Sequence, residues 1–131
     1  MSDRPDIAVV MANYNGARYL AAAIQSVIRQ TLTDWELILI DDASTDDSLA
    51  IAREAAGSDA RIKIIAQPSR KGPGAARNRA LELVTANWIA ILDSDDLMPA
   101  KRLEYLSRRA HVAGASVVAD NLMMFSTTSM P

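Results

Sequence analysis

Apolar residues in this chain come in short unbroken runs, separated by longer stretches where they recur every three or four positions. Residues 7–12 (IAVVMA), 35–40 (WELILI), 62–66 (IKIIA) and 88–92 (WIAIL) are continuous, short and free of Gly and Pro, which predicts buried strands. Over residues 17–30, Leu20, Ala23, Ile24, Val27 and Ile28 fall on one helical face. Ser44 and Asp47 have capping-box spacing ahead of a helix that runs to Ala56. Gly72, Pro73 and Gly74 mark a loop before a helix over residues 75–84, and Pro99 can open a helix reaching about Val112. Residues 115–119 (ASVVA) read as a fifth strand. Strands that alternate with helices form βαβ units, so the expectation is one α/β domain over residues 1–131. Its sheet is mostly parallel, with helices on both faces.

Polar clusters punctuate this pattern at regular places. Asn13-Tyr14-Asn15-Gly16 follows the first strand, Asp41-Asp42-Ala43-Ser44 the second, and Asp93-Ser94-Asp95-Asp96 the fourth. Open α/β sheets bind ligands beyond the carboxyl ends of their strands, at a switch in strand order. If the order is 3-2-1-4, all three clusters meet at one crevice. Asp93, Asp95 and Asp96 repel one another, and oxygen-only ligands of this kind suit Mg²⁺ or Mn²⁺. Arg70, Lys71, Arg77 and Arg79 could supply counter-charge for a diphosphate held by such a cation.

Each of these residues also has an ordinary reading. Asp is common in turns and at helix N-caps, so both acidic clusters also fit solvated turns. Tyr14 can pack its ring against the first helix as well as stack on a base. Arg77 and Arg79 lie two apart on one helix and cannot share a face, so one of them points away from the crevice. His111 has no partner that would make it catalytic and reads as surface. Lys101, Arg102, Arg108 and Arg109 read as a solvated helix face that could also meet anionic lipid.

Composition removes several classes. A net charge of −2 gives no basic footprint for nucleic acid. The absence of cysteine excludes disulfides and thiolate metal sites and suits the cytoplasm. No apolar run approaches the roughly 18 residues of a membrane span, and the polar start MSDRPD is unlike a signal peptide. No G-x-G-x-x-G follows the first strand and no G-x-x-x-x-G-K-[ST] occurs, so neither dinucleotide nor P-loop binding is indicated.

Four segments in order, VVMANYNGARYL, TLTDWELILIDDASTDDS, GPGAARNRAL and WIAILDSDDLMPAKRL, resemble the N-terminal nucleotide-binding half of bacterial family 2 glycosyltransferases. The resemblance runs from Ile7 to about Leu106. It implies a Rossmann-like GT-A fold and an inverting transfer of sugar from a UDP-sugar to a growing polysaccharide or lipid-linked saccharide. By the same resemblance, Tyr14 packs on uracil, Asp42 accepts its N3–H beside Asp41, and Arg77 lies near the diphosphate. Asp95 lies near the ribose, Asp96 ligates Mn²⁺ or Mg²⁺, and Asp93 begins the D-x-D pattern. The chain departs from the pattern at Arg70, where the family often has Asn, and at Ala80 and Asn87, where it has glycine. The tail GASVVADNLMMF is similar to transferases that assemble exopolysaccharides such as succinoglycan, which points to UDP-glucose and to work in the cytoplasm or at the inner face of the membrane.

The acceptor site and general base are expected beyond residue 131, so the chain read as a donor-binding half is expected to transfer little sugar and to self-associate through uncovered surface. Two other classes compete. A receiver-like phospho-accepting domain has similar size and an acidic pair, but that pair should follow the first strand, where this chain has ANYNG. A non-catalytic nucleotide-binding fragment fits the same motifs.

Overall fold

The computed structural model describes residues 4–118. Its elements alternate as β1 (Ile7–Asn13), α1 (Ala17–Ile28), β2 (Trp35–Asp41), α2 (Ser48–Ala56), β3 (Ile62–Ala66), α3 (Pro73–Leu81), β4 (Trp88–Ile91) and α4 (Arg102–Ala113). The four strands form one sheet in the order β3-β2-β1-β4, and every pairing is parallel. This is the order that brings the three polar clusters to one edge.

Burial follows position in the sheet. β1 and β2 are interior strands covered on both faces, so their side chains form near-continuous apolar runs. On one face Ile7, Val9, Met11, Leu37 and Leu39 pack under Leu20, Ile24 and Val27 of α1, Ala52 of α2 and Leu103 of α4. On the other, Val10, Ile38 and Ile40 meet Ala76 and Ala80 of α3. Small residues on α3 let that helix lie close to the strands. Among the described residues β4 is an edge strand, and its Ile89 and Ile91 on the α3 face are about half exposed.

Two expectations are corrected. Residues 115–118 form no strand, and Ala119 lies outside the described residues. α4 ends on Gly114 in a left-handed turn (φ 61°), with Ala115 N–H returning to the Ala110 carbonyl, and Val117 emerges largely exposed. A β-branched run becomes a strand only when a ladder partner lies alongside, and this run finds none among the described residues. Nor does Ser44 cap α2. The helix starts later, at Ser48, and Ser44 turns its hydroxyl to Asp41 instead.

One buried amide ties α1 to the segment that follows β4. Gln30 is 4% exposed; its Nε2 donates to the Pro99 carbonyl (2.7 Å), and its Oε1 accepts the Leu103 N–H (3.1 Å). Met98 N–H donates to Ser26 Oγ, and Thr31 N–H to the Ala100 carbonyl. Pro99 therefore precedes the helix instead of opening it, and its carbonyl serves Gln30 and Arg102 N–H. At the other end of α1, Gly16 is the N-cap. A Cβ there would lie 2.3 Å from Asn13 Oδ1 and 3.1 Å from Ser94 Oγ.

Two substitutions test these contacts. Gln30→Ala leaves Leu103 N–H without a partner and takes from the Pro99 carbonyl one of its two donors, and should cost about 1–3 kcal/mol in urea unfolding. Gly16→Ala should cost about 1–3 kcal/mol, because the buried Asn13 side chain must move to admit the methyl group. Unchanged midpoints would show that both sites relax freely.

Candidate functional site

The crevice is assembled at the carboxyl ends of β1, β2 and β4, and the pair ending β2 organises it. Asp41 and Asp42 are each 2% exposed. Asp41 accepts Asn13 Nδ2 (3.0 Å), Ser44 N–H (3.0 Å) and Ser44 Oγ–H (2.7 Å), which fills most of its acceptor capacity and ties the β1 loop to the β2 loop. Asp42 turns the other way. Its Oδ1 accepts Lys71 N–H (2.9 Å) and its Oδ2 accepts Gly72 N–H (2.8 Å), so it holds the loop that enters α3. Two of its four lone-pair positions remain for a donor arriving from the crevice.

Backbone conformation reflects the tightness of these turns. Ala43 has φ 59° and Asn15 φ 51°, the left-handed region. Asn tolerates it; for Ala the cost is about 1 kcal/mol, held by the bonds around it. Asn15 braces the two loops further: its Oδ1 accepts Thr45 N–H (2.8 Å), and its own N–H donates to Ser44 Oγ (2.9 Å). Asp46 serves two helix starts at once, accepting Ser48 N–H (2.9 Å) and Ala17 N–H (3.1 Å). The bonds from Ser48, with a smaller share from Ala17, hold its carboxyl below the ordinary carboxylate range.

Asp93, Asp95 and Asp96 behave differently. All three are exposed, and one carboxylate oxygen from each lies within 4.8 Å of the others. The turn that gathers them is closed by Asp96 N–H on the Asp93 carbonyl (3.0 Å). Desolvation, then the charges of Asp95 and Asp93, push the Asp96 carboxyl above its usual range, and Arg102 opposes them. An all-oxygen cluster with this spacing, only partly compensated by neighbouring arginines, fits a hard divalent cation with open positions for water or phosphate oxygens.

The cations divide as the helical spacing requires. Arg77 reaches Asp93 (3.1 Å) at the crevice, whereas Arg79 pairs with Glu82 (3.1 Å) on the outer side of α3. Tyr14 stands at the mouth, 37% exposed, with the Arg70 guanidinium 3.7 Å above its ring centroid. His111 is exposed on α4. The sequence-predicted residues Tyr14, Asp41, Asp42, Arg77, Asp93, Asp95 and Asp96 thus lie on three adjoining loops and the first turns of α3. Sequence reasoning missed Asn13, Asn15 and Ser44 as the residues that bind the loops together. Their signal was the Asn- and Asp-rich turn composition itself. Among the described residues, no helix is long and apolar enough to cross a membrane.

Comparison with known proteins agrees with this geometry. Residues 8–129 match the family model described as Glycosyl transferase family 2. The chain is 39% identical over 122 residues to the succinoglycan biosynthesis protein ExoO of Rhizobium meliloti, covering 93% of this chain and 34% of that protein. It is 40% identical over 98 residues to WfgD of Escherichia coli, a UDP-Glc:alpha-D-GlcNAc-diphosphoundecaprenol beta-1,3-glucosyltransferase, covering 75% of this chain and 38% of that protein. The chain therefore spans about a third of the length of these relatives. Among solved structures it is similar to TarS of S. aureus in complex with UDP, at a TM-score of 0.77 and 25% identity over 82% of this chain and 32% of that one. A parallel 3-2-1-4 sheet carrying Asp41-Asp42 and D-x-D at its carboxyl edge, with a family match over nearly the whole chain, identifies it as a GT-A-fold member of glycosyl transferase family 2.

Proposed function

We propose that this chain holds the nucleotide-sugar donor of a glycosyltransferase that extends a polysaccharide or lipid-linked saccharide. The observation that carries the reading is the convergence of the Tyr14, Asp42 and D-x-D loops on one crevice, with three carboxylates close enough to share a cation. The donor is a UDP-sugar: uracil lies against Tyr14, and its N3–H meets the spare acceptor of Asp42. Asp41 contributes by holding the turn, and Asp95 meets the ribose. UDP-glucose is the first candidate, supported by the donor in the name of the relative WfgD.

Asp93, Asp95 and Asp96 would hold Mn²⁺ or Mg²⁺. When bound, the cation offsets the negative charge that grows on the diphosphate as the anomeric carbon–oxygen bond breaks. Arg77 adds positive charge on the same side, its guanidinium already within reach of Asp93. The whole enzyme would deprotonate the acceptor hydroxyl with a carboxylate base and invert the anomeric centre.

Base choice and metal dependence test this separately. Asp42→Asn is a poor probe of base reading, because an amide NH₂ would confront the Lys71 or Gly72 N–H that Asp42 now accepts. Changing the ligand is cleaner. CDP offers no N3–H and should bind the unsubstituted chain about 1–3 kcal/mol more weakly than UDP in calorimetry. Equal affinities would remove Asp42 from base recognition.

For the metal, EDTA should lower UDP affinity by a factor on the order of ten or more, since three carboxylates would then face a diphosphate uncompensated. Asp96→Ala should remove the response to added Mn²⁺ while leaving the unfolding midpoint nearly unchanged, because the side chain is exposed. UDP binding that ignores both EDTA and the substitution would overturn the metal assignment.

A further inference from the structure

Two of the cations placed near the carboxyl edge of the sheet are committed to acids. Arg77 pairs with Asp93 and Arg79 with Glu82. Arg70 pairs with no carboxylate among the described residues; its guanidinium carbon lies over an aromatic ring, 3.7 Å from the centroid of Tyr14. Both members of this stack hang from anchored backbone. Tyr14 sits between Asn13, bonded to Asp41, and Asn15, bonded to Ser44 and Thr45. Arg70 immediately precedes Lys71 and Gly72, whose N–H groups are held by Asp42. The same buried acid pair therefore fixes the spacing of the two backbones, and the long Arg70 side chain extends from its anchored loop.

We propose that Arg70 is the second wall of the nucleobase slot: the base enters between the Tyr14 ring and the Arg70 guanidinium and is stacked on both faces. This rests on the nucleotide reading above and extends it to a residue the family motif does not assign. A guanidinium is planar, weakly hydrated and stacks on bases as it does on aromatic rings. Without ligand it covers the Tyr14 face that would otherwise stand in water. Admitting a base requires the gap to widen by one ring thickness, about 3.5 Å. Rotations within the Arg70 side chain supply that displacement while Lys71 and Gly72 stay bonded to Asp42.

The base, and not the diphosphate, is the group Arg70 recognises. Its guanidinium lies over Tyr14, on the side of the crevice that carries Asp42, while Arg77 and the acidic cluster occupy the side where a diphosphate would lie. Asn, which the family resemblance would place here, has neither the charge nor the reach to form this wall.

Calorimetry of uridine, UMP and UDP in saturating Mn²⁺, on the unsubstituted chain, Arg70→Asn and Arg70→Lys, tests the proposal. Loss of one stacking wall should weaken all three ligands by a similar factor of about ten. Arg70→Lys should behave like Arg70→Asn, because an ammonium keeps the charge but not the plane. A loss that grows from uridine to UDP and is rescued by Lys would overturn the proposal in favour of a phosphate contact. Unchanged affinities in both variants would overturn it as well. If the unsubstituted chain binds none of the three ligands, the nucleotide reading itself fails and this inference falls with it; binding by the unsubstituted chain keeps the two failures apart.

Discussion

Burying a carboxylate costs several kcal/mol unless donors replace the water it loses, and at the end of β2 this molecule buries two in succession. That cost is offset by five donors, two from the acids' own turn and three from two other segments. Asn13 and Ser44 serve Asp41; Lys71 and Gly72 serve Asp42. The bonds work in both directions: they replace the water the carboxylates lose, and they fix where the β1, β2 and α3 loops can lie. The left-handed Ala43 between the two acids and Ser44 belongs to the same constraint, since the chain must reverse sharply for Asp41 to receive both donors of Ser44. Tyr14 and Arg70 inherit their facing positions from this pair.

The acids after β4 follow the opposite rule. They stay in solvent, where repulsion between like charges is tolerable, and the protein supplies only partial compensation through Arg77 and Arg102. Aspartates at two strand ends, one on either side of β1, thus do different work. Those ending β2 are tied to the protein's own donors and give shape, with only part of Asp42's acceptor capacity left over; those after β4 keep most of their lone pairs for something else. The acidic turn is nonetheless not loose. Gln30, Ser26 and Thr31 at the end of α1 grip residues 98–103, so the turn is held between β4 on one side and α1 on the other.

A groove beside β4, the edge strand among the described residues, begins at this turn. It is lined by Ile91, Leu97, Leu103, Leu106 and Val117, with Asp93 and Asp96 at one end. Apolar lining next to a carboxylate cluster raises the cost of ionising Asp96, which is the desolvation that lifts its pKa. The polar chemistry of the site therefore borders the least covered apolar part of the sheet.

The α/β class, the helix and strand of each unit and the identity of the three polar clusters were legible in the sequence, because each rests on local periodicity and on turn residues next to a strand end. So was the division between Arg77 and Arg79, which follows from the geometry of a single helix. Residues 115–118 misled for the same local reason: β-branched residues look like a strand whether or not a partner strand lies beside them. What the tertiary structure alone decided is which aspartates are satisfied. Asp41, Asp42, Asp93, Asp95 and Asp96 are the same residue type after the same kind of apolar run, and their roles diverge according to what other segments bring to them. The donors reaching Asp42 come from about 30 residues away along the chain. The Arg70–Tyr14 stack spans a longer separation still, and depends on strand order 3-2-1-4, which no local pattern encodes.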